Sequence, residues 1–130
     1  MTTLWLGSLK GVSFEPFTSN IQNVYAYAAG TRVKIILTRD MANRFDPYAI
    51  CVYFNYQAVG YIPRSANKQI LEYGLANLTA SFIGFNLFDG RVVGASIKIE
   101  KKKLATKPIK PERHLRLVQK LTNTPRKIMV

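Results

Sequence analysis

Apolar and polar residues alternate in several short runs of the chain, which is the pattern of half-buried β-strands. Between residues 32 and 38, Val33, Ile35 and Leu37 share one face and two bases lie on the other. Short polar breaks such as Asp89-Gly90 are typical of hairpin turns. The alternation predicts six strands, at Leu9–Phe14 with a break at Gly11, Arg32–Thr38, Tyr48–Phe54, Gln57–Pro63, Leu78–Phe85 and Arg91–Glu100.

Two or three helices are expected between and after these strands. Ser65 can cap a helix over residues 65–76, with an apolar stripe and a weak end at Gly74. A helical turn is expected within Asn20–Ala29, and Pro111 can begin a C-terminal helix. Six short strands with few helices predict a mainly β fold, a small OB-like six-stranded β-barrel. We therefore expect one barrel domain over residues 1–100 and a partly helical extension over residues 101–130.

The positive charge is concentrated at the C-terminal end. The net charge is +12, and residues 101–130 hold ten Lys/Arg and one Glu. A basic segment of this kind favours a polyanionic partner, with nucleic acid first and acidic lipid second. The alternative is a segment that only increases solubility. The candidate nucleic-acid contacts in this extension are Lys101, Lys102, Lys103, Lys107, Lys110, Arg113 and Arg116.

Several classes of protein are disfavoured by composition. One cysteine, Cys51, and one histidine, His114, provide neither a disulfide framework nor a zinc cluster. Cys51 lies in an apolar run and is expected to be a small buried residue, although a Cys–His nucleophile pair stays open. We expect no metal, no cofactor and no enzymatic activity. No apolar run approaches the length of a membrane span, so we expect a soluble, cytoplasmic protein that binds no membrane.

The central residues carry a more specific pattern. The stretch Leu37–Ile70, "LTRDMANRFDPYAICVYFNYQAVGYIPRSANKQI", resembles the HIRAN domain. That family shows a loop of the form N-x-[YF]-D-x-x-A-I-x-V followed by a hairpin and V-G-[YH]-[IL]-P-[RK]. Here the first motif runs from Asn43 to Val52 and the second from Val59 to Arg64. The likeness extends from Leu9 to Ile99, with outer strands supported only by their order and alternation.

The resemblance implies an OB-like barrel that captures the 3′-hydroxyl end of single-stranded DNA. HIRAN domains occur in fork-remodelling DNA helicases and as small free-standing proteins. The chain contains no G-x-x-x-x-G-K-[ST] phosphate loop, so we expect a free-standing, non-catalytic binder used in DNA repair, recombination or replication. A helicase or nuclease is a further possible partner. The alternatives are an end-indifferent DNA or RNA binder that uses the basic extension, and a protein-interaction module on the same scaffold.

The candidate site residues follow from this comparison. An ionised Asp46 can accept a hydrogen bond from a terminal 3′-hydroxyl and would repel a 3′-phosphate; alternatively it caps the turn before Pro47. Phe45 can stack on an unpaired base, with Phe14 either as the second wall of the slot or as a core residue. Asn43 can contact a sugar or base edge, or brace the loop.

The remaining candidates are mainly phosphate contacts. The family places phosphate-contacting groups at the hairpin exit, where this chain has Tyr61 and Arg64. Arg39 is expected to pair with Asp40 or brace the loop, and Arg91 is a candidate for the far wall. Two departures from the family are visible. Ser13 stands where some members have Arg, and the insert Ser19–Gly30 is long enough to cover the site.

Overall fold

The structure is a computed structural model that describes residues 2–28 and 32–102. It is mainly β, with two helices and a single short 3₁₀ turn in these ranges. In chain order the elements are β1 (Thr3–Ser8), α1 (Phe17–Ala28), β2 (Ile35–Arg39), β3 (Ile50–Phe54), β4 (Gln57–Tyr61), α2 (Arg64–Tyr73), the 3₁₀ turn (Leu75–Asn77), β5 (Leu78–Phe88) and β6 (Arg91–Lys101). Neither helix has the length and apolar character to cross a membrane.

The strands form two antiparallel sheets of three. One has the order β1-β6-β5 and the other the order β2-β3-β4. Two-residue turns join β3 to β4 and β5 to β6, and all four turn residues have positive φ, as the twist of tight hairpins requires. These residues are Asn55, Tyr56, Asp89 and Gly90, with φ of 49°, 70°, 52° and 75°. The structure thus has six strands and two hairpins, the expected numbers, but its first strand is not the predicted one, and strand pairing does not close the six into one barrel.

The core lies between the two sheets. Phe54 of β3 is fully buried and meets Phe82 and Phe85 of β5 edge-on, with ring centroids 5.5 and 6.3 Å apart. Ile97 and Ile99 of β6 are also fully buried. Aromatic contacts of this geometry add to the free energy of burying the rings. The packing of β3 against β5 therefore helps to hold the two sheets together.

Helix α1 covers one side of this core. Ile21, Val24 and Ala28 are buried at helical spacing, which is the pattern of a helix with one apolar face. The side-chain amide of Gln22 exchanges two hydrogen bonds with the backbone of Val92, at 2.8 and 3.0 Å. Asn20 donates another to the carbonyl of Ala58, at 2.8 Å. The insert that begins at Ser19 is therefore part of the core packing over its described residues.

A single bridge connects the segment after β1 to strand β4. Lys10 and Tyr61 exchange two backbone hydrogen bonds, each 2.8 Å long. The backbones approach so closely that a Cβ added to Gly60 would lie 2.7 Å from the carbonyl oxygen of Lys10. Such a distance is too short for a carbon atom, so glycine is required at this position. The bridge is the backbone link between the two sheets among residues 2–28 and 32–102.

The predicted boundaries need several corrections. The first strand is Thr3–Ser8 rather than Leu9–Phe14, because Lys10 leaves β6 to pair with Tyr61 and Gly11 turns the chain with φ of 81°. The helix α2 begins at Arg64, so Ser65 lies inside its first turn and provides no side-chain cap. The helix ends before Gly74, whose φ is 102°. The expected helix at Pro111 and most of the basic extension lie outside the described residues.

Gly60→Ala tests the importance of the bridge for the fold. The added methyl must displace the backbone at Lys10, and overpacking of this kind typically costs about 1–3 kcal/mol of unfolding free energy. Chemical denaturation of the two proteins measures the difference.

Gly84→Ala is the matched control, because a Cβ at Gly84 meets no atom within 4 Å. This variant should be neutral or slightly stabilised. Equal stability of the two variants would show that the Lys10–Tyr61 contact is not a close constraint.

Candidate functional site

The loop between β2 and β3, residues 40–49, is closed by its own polar groups. The amide of Asp40 donates to the carbonyl of Ala49 at 2.8 Å, which joins the two ends of the loop. The side-chain oxygen of Asn43 accepts from the amides of Phe45 and Asp46, at 2.8 and 2.9 Å. Asn43 therefore braces the loop, one of the two roles expected for it. These bonds fix the backbone on both sides of Phe45.

Arg39 braces the same loop from strand β2. Its Nε and Nη2 both donate to the carbonyl oxygen of Pro47, at 3.0 and 2.8 Å. The expected pairing of Arg39 with Asp40 is not among the ion pairs of the described residues. The Arg39 guanidinium also lies over the ring of Tyr48, as does the ammonium of Lys68, at 5.5 and 5.2 Å from its centre. Side chains of β2 and α2 thus contact the second half of the loop.

The carboxylate of Asp46 connects this loop to helix α2. Its Oδ1 accepts from the amide of Tyr48 at 2.9 Å, so the turn-capping interpretation is confirmed. Its Oδ2 accepts from Nδ2 of Asn67 at 2.8 Å and lies 3.5 Å from Nε of Arg64. Asn67 is 3% exposed, and Asp46 has 15% of its side chain exposed. One carboxylate thus joins residues of two elements and still reaches the surface.

The surroundings of Asp46 favour its charged form. The hydrogen bond from the amide of Tyr48 lowers the pKa of the carboxyl below its usual value, and Asn67 and Arg64 act in the same direction against the effect of burial. The group is therefore ionised at neutral pH. An ionised carboxylate offers about four acceptor positions. Three donors surround Asp46, so one acceptor position is left for a ligand.

The ring of Phe45 projects from this fixed loop into solvent. It is 84% exposed, although its backbone is held on both sides. Its amide donates to Asn43, and its carbonyl accepts from Nη2 of Arg64 at 2.7 Å. The ring contributes little to the core in this position. It is an exposed aromatic surface on a backbone that is held by hydrogen bonds.

An open groove of about 560 Å³ runs beside Phe45 and Asp46. Two bases line it, Arg64 from the start of α2 and Lys10 from the bridge to β4. The groove is lined by Lys10, Asn43, Phe45, Asp46, Ala49, Tyr61, Ile62, Pro63 and Arg64. It therefore combines an exposed aromatic ring, an ionised carboxylate and two cations.

Tyr61 forms part of the groove wall and is held from behind. Its hydroxyl donates to Oδ2 of Asp40 at 2.8 Å, and its ring meets Phe17 edge-on with centroids 5.4 Å apart. Burial, followed by the bond to Asp40, raises the pKa of Tyr61 to about 12. The phenol therefore stays neutral. Because its proton is directed to Asp40, Tyr61 acts as a wall more than as a donor to phosphate.

The structure brings together five of the seven site residues that were predicted within residues 1–100. Asn43, Phe45, Asp46, Tyr61 and Arg64 all line the groove. The other two, Phe14 and Arg91, are not among its lining residues.

Phe14 is 69% exposed, so it is not the core residue that one interpretation expected. Arg91 lines a separate hollow of about 210 Å³ together with Ser13 and Thr18. None of the described residues of α1 lines the groove, so this helix does not cover it.

Two described residues of the basic extension contact the domain. The ammonium of Lys101 lies 5.1 Å from the ring centre of Tyr73, and that of Lys102 donates to the carbonyl of Ala76 at 3.0 Å. Lys101 also belongs to strand β6. The other candidates, Lys103, Lys107, Lys110, Arg113 and Arg116, lie outside the described residues.

Sequence reasoning missed Asn67 and Lys10. Asn67 follows Arg64 by three residues on α2, so both side chains reach the same carboxylate. The available signal was an amide on the apolar face of a predicted helix, next to the buried residues Ala66 and Ile70. Lys10 reaches the groove only through the bridge to Tyr61. No sequence pattern specifies that bridge.

Cys51 does not have the properties of a nucleophile. It is 7% exposed, which confirms the expectation of a small buried residue. Burial, and then the nearby charge of Asp40, raise the pKa of its thiol, so the thiolate is disfavoured at neutral pH. His114, its hypothetical partner, lies outside the described residues.

Comparison with known proteins identifies no relative of this chain. No protein-family model matches the chain, and neither curated proteins nor solved structures give a significant match. The function proposed for the chain therefore depends on the geometry of the groove and on the motif between residues 37 and 70.

The role of Asn67 is testable through the pKa of Asp46. That pKa is below its ordinary value of 3.8, so Asp46 stabilises the fold above this pH. The stabilisation is lost as the pH falls through the folded pKa. Asn67→Ala removes one donor and should raise the pKa of Asp46, measured by NMR titration of its carboxyl carbon.

Asn20→Ala provides the control, because it also removes an amide that donates a 2.8 Å hydrogen bond, here to Ala58. It should leave the pKa of Asp46 unchanged. An unchanged pKa in the Asn67 variant as well would mean that this hydrogen bond does not hold the charge.

Proposed function

We propose that the chain is a non-catalytic, HIRAN-like binder that captures the 3′-hydroxyl end of single-stranded DNA in this groove. The observation that carries the proposal is the position of Phe45 beside Asp46. An exposed aromatic ring and an ionised carboxylate adjoin one another on a fixed loop, in a groove lined by two cations. Such a binder would act in DNA repair, recombination or replication.

The carboxylate is the element that supports end recognition. The phosphates of a nucleic acid repel a carboxylate such as Asp46. A carboxylate in a nucleic-acid site therefore needs a group on the ligand that donates a hydrogen bond to it. A terminal 3′-hydroxyl is a hydrogen-bond donor, and Asp46 has one acceptor position left. A 3′-phosphate would meet a like charge at the same point. Attraction of one end and repulsion of the other then produce specificity together.

The rest of the groove suits the remainder of a terminal nucleotide. The ring of Phe45 can stack on the base, a contact that is worth about 1–3 kcal/mol and tolerates any sequence. Arg64 is exposed over 71% of its side chain, and only some of its five donors contact Asp46 and Phe45. Its remaining donors, together with Lys10, can contact phosphate oxygens. These contacts position the strand without reading its sequence.

The arrangement of the two sheets also supports an OB-like barrel as the scaffold. The bridge between Lys10 and Tyr61 closes one side of the sheet pair, and β2 and β5 approach each other on the opposite side. OB folds are partly open barrels that bind oligonucleotides on an exposed surface. In this interpretation the groove lies at the closed side, next to the bridge.

A second candidate function follows from the charge of the extension. Residues 101–130 hold ten of the nineteen Lys/Arg residues and one of the seven acids. This segment alone can supply affinity for DNA or RNA, with a strong dependence on salt. A protein of this kind would bind nucleic acid without regard to its ends.

Binding of two matched oligonucleotides separates these candidates. One ends in a 3′-hydroxyl and the other in a 3′-phosphate, and fluorescence anisotropy measures their affinities. The wild type should bind the hydroxyl end more tightly. The affinity of Asp46→Asn for the hydroxyl end should be about tenfold lower, because a hydrogen bond to a charged group is worth about 1.5–3 kcal/mol. Its affinity for the phosphate end should not fall and should rise somewhat, because the like charge that repels this end is removed, so the two affinities converge.

Three further variants serve as controls. Lys10→Ala removes a cation that has no other side-chain partner among the described residues, so it should weaken both ends alike. Phe45→Ala should also lower the affinity for both oligonucleotides, whereas Phe88→Ala should lower neither affinity. Phe88 is 68% exposed at the tip of the β5–β6 hairpin and lies outside the groove. Equal affinity of the wild type for both ends would favour the end-indifferent candidate instead.

A further inference from the structure

Two cations share one aromatic ring next to Asp46. The guanidinium of Arg39, on β2, and the ammonium of Lys68, on α2, lie 5.5 and 5.2 Å from the ring centre of Tyr48. We propose that this Tyr48 cluster binds a backbone phosphate of a second nucleic-acid strand, one that continues past the captured 3′ end. The inference rests on the proposed function and extends it to the class of substrate, a 3′ end on a longer complementary strand.

The charge of the Tyr48 cluster is not balanced by the protein. Among the described residues, neither Arg39 nor Lys68 forms an ion pair with an acid. Glu72 follows Lys68 by about one helical turn, but it is exposed and no ion pair joins the two. The ring of Tyr48 attracts each cation but carries no net charge of its own. Two neighbouring cations without an acid between them favour an anionic ligand.

Both cations have donors left for such a ligand. Arg39 uses its Nε and one donor of Nη2 on the carbonyl of Pro47, and a guanidinium has five donors. The ammonium of Lys68 donates no hydrogen bond within the part of the chain that the structure describes. Phosphate oxygens accept charge-assisted hydrogen bonds from both groups.

The ring of Tyr48 differs from that of Phe45 in its surroundings. Phe45 is 84% exposed, whereas Tyr48 is 39% exposed and is contacted by both cations. A base could therefore stack on Phe45 more readily than on Tyr48. The Tyr48 cluster suits a phosphate, a contact that positions a strand without reading its sequence.

The Tyr48 cluster lies outside the groove at Phe45. The amide of Tyr48 donates to Oδ1 of Asp46 at 2.9 Å, yet none of the three residues of the cluster lines the groove. On α2, Arg64 lines the groove and Lys68 lies one turn, about 6 Å, further along the helix. A strand that ends at Asp46 has no nucleotide beyond the carboxylate. A phosphate at the cluster therefore belongs to another strand.

Two partial duplexes test the proposal by fluorescence anisotropy. Both contain the same labelled strand, whose last two nucleotides are unpaired so that its 3′-hydroxyl end is free for the groove. In the first duplex the complementary strand continues about ten nucleotides past the pairing, and in the second it stops where the pairing ends. The wild type should bind the first duplex more tightly. Its affinity should also depend more steeply on salt, by about 0.7 in the log–log slope for each added phosphate contact.

Two lysine variants decide whether this gain comes from the Tyr48 cluster, because residues 101–130 can also bind the longer strand. Lys68→Ala should lower the affinity for the first duplex, reduce its salt slope by about 0.7, and leave binding of the second duplex unchanged. Lys34→Ala is the matched control, because the exposed Lys34 also lies over a tyrosine ring, that of Tyr56, at 5.1 Å. This variant should keep the full gain.

Three results would overturn the proposal. The longer strand adds no affinity, Lys34→Ala reduces the gain as much as Lys68→Ala, or Lys68→Ala weakens both duplexes alike. In the last case the phosphate belongs to the captured strand. The second duplex also tests the proposed function by itself, through the comparison of a 3′-hydroxyl with a 3′-phosphate. A preference for the hydroxyl without a gain that depends on Lys68 would contradict this inference and leave the proposed function intact.

Discussion

The backbone contact between Lys10 and Tyr61 determines both the assembly of the sheets and the shape of the groove at Phe45. Two hydrogen bonds of 2.8 Å join the residues, and only the absence of a side chain at Gly60 permits the approach. Lys10 and Tyr61 both line the groove. The hydroxyl of Tyr61 then reaches Asp40 at the start of the loop. One close contact thus relates the first segment of the chain, strand β4 and the loop that carries Phe45 and Asp46.

The position of Asp46, an acidic residue in the groove of a basic protein, has a structural explanation. The chain has nineteen bases and seven acids, yet it places one acid in the groove where nucleic acid is proposed to bind. The carboxylate has a structural role, since it caps the turn at Tyr48 and binds Asn67 across to α2. These same bonds lower its pKa and keep it charged. The structural role and the proposed recognition role are compatible, because the bonds that orient the carboxylate leave one acceptor position.

The local alternation of apolar and polar residues predicted much of the fold. The differences between the predicted and observed elements arise from contacts that this pattern does not show. Strands β3, β4 and β6 were predicted within two residues at each end, because their alternation and turns are local properties. The strand at Tyr48 begins later than predicted because the amide of Tyr48 is held by Asp46. The error at the first strand has a non-local cause, since Lys10 pairs with a residue fifty-one positions away.

The same distinction between local sequence pattern and tertiary contacts applies to the groove at Phe45. Asn43, Phe45, Asp46, Tyr61 and Arg64 belong to one continuous stretch of sequence, and a hairpin folds that stretch back on itself. Lys10 and Asn67 were missed because only the packed fold brings them to the carboxylate and the groove. Phe14 was placed at the site through alignment of a first strand that the structure puts elsewhere.

The proposed end recognition depends on one hydrogen bond, from a terminal 3′-hydroxyl to the carboxylate of Asp46. An oligonucleotide ending in a 2′,3′-dideoxynucleotide tests it most directly, because it lacks the hydroxyl and adds neither charge nor bulk. Titration calorimetry of the wild-type protein with this oligonucleotide and with its 3′-hydroxyl counterpart isolates the one bond. If Asp46 accepts this bond, the dideoxy end should bind about tenfold more weakly. Equal affinity for the two ends would show that the carboxylate does not bind the hydroxyl.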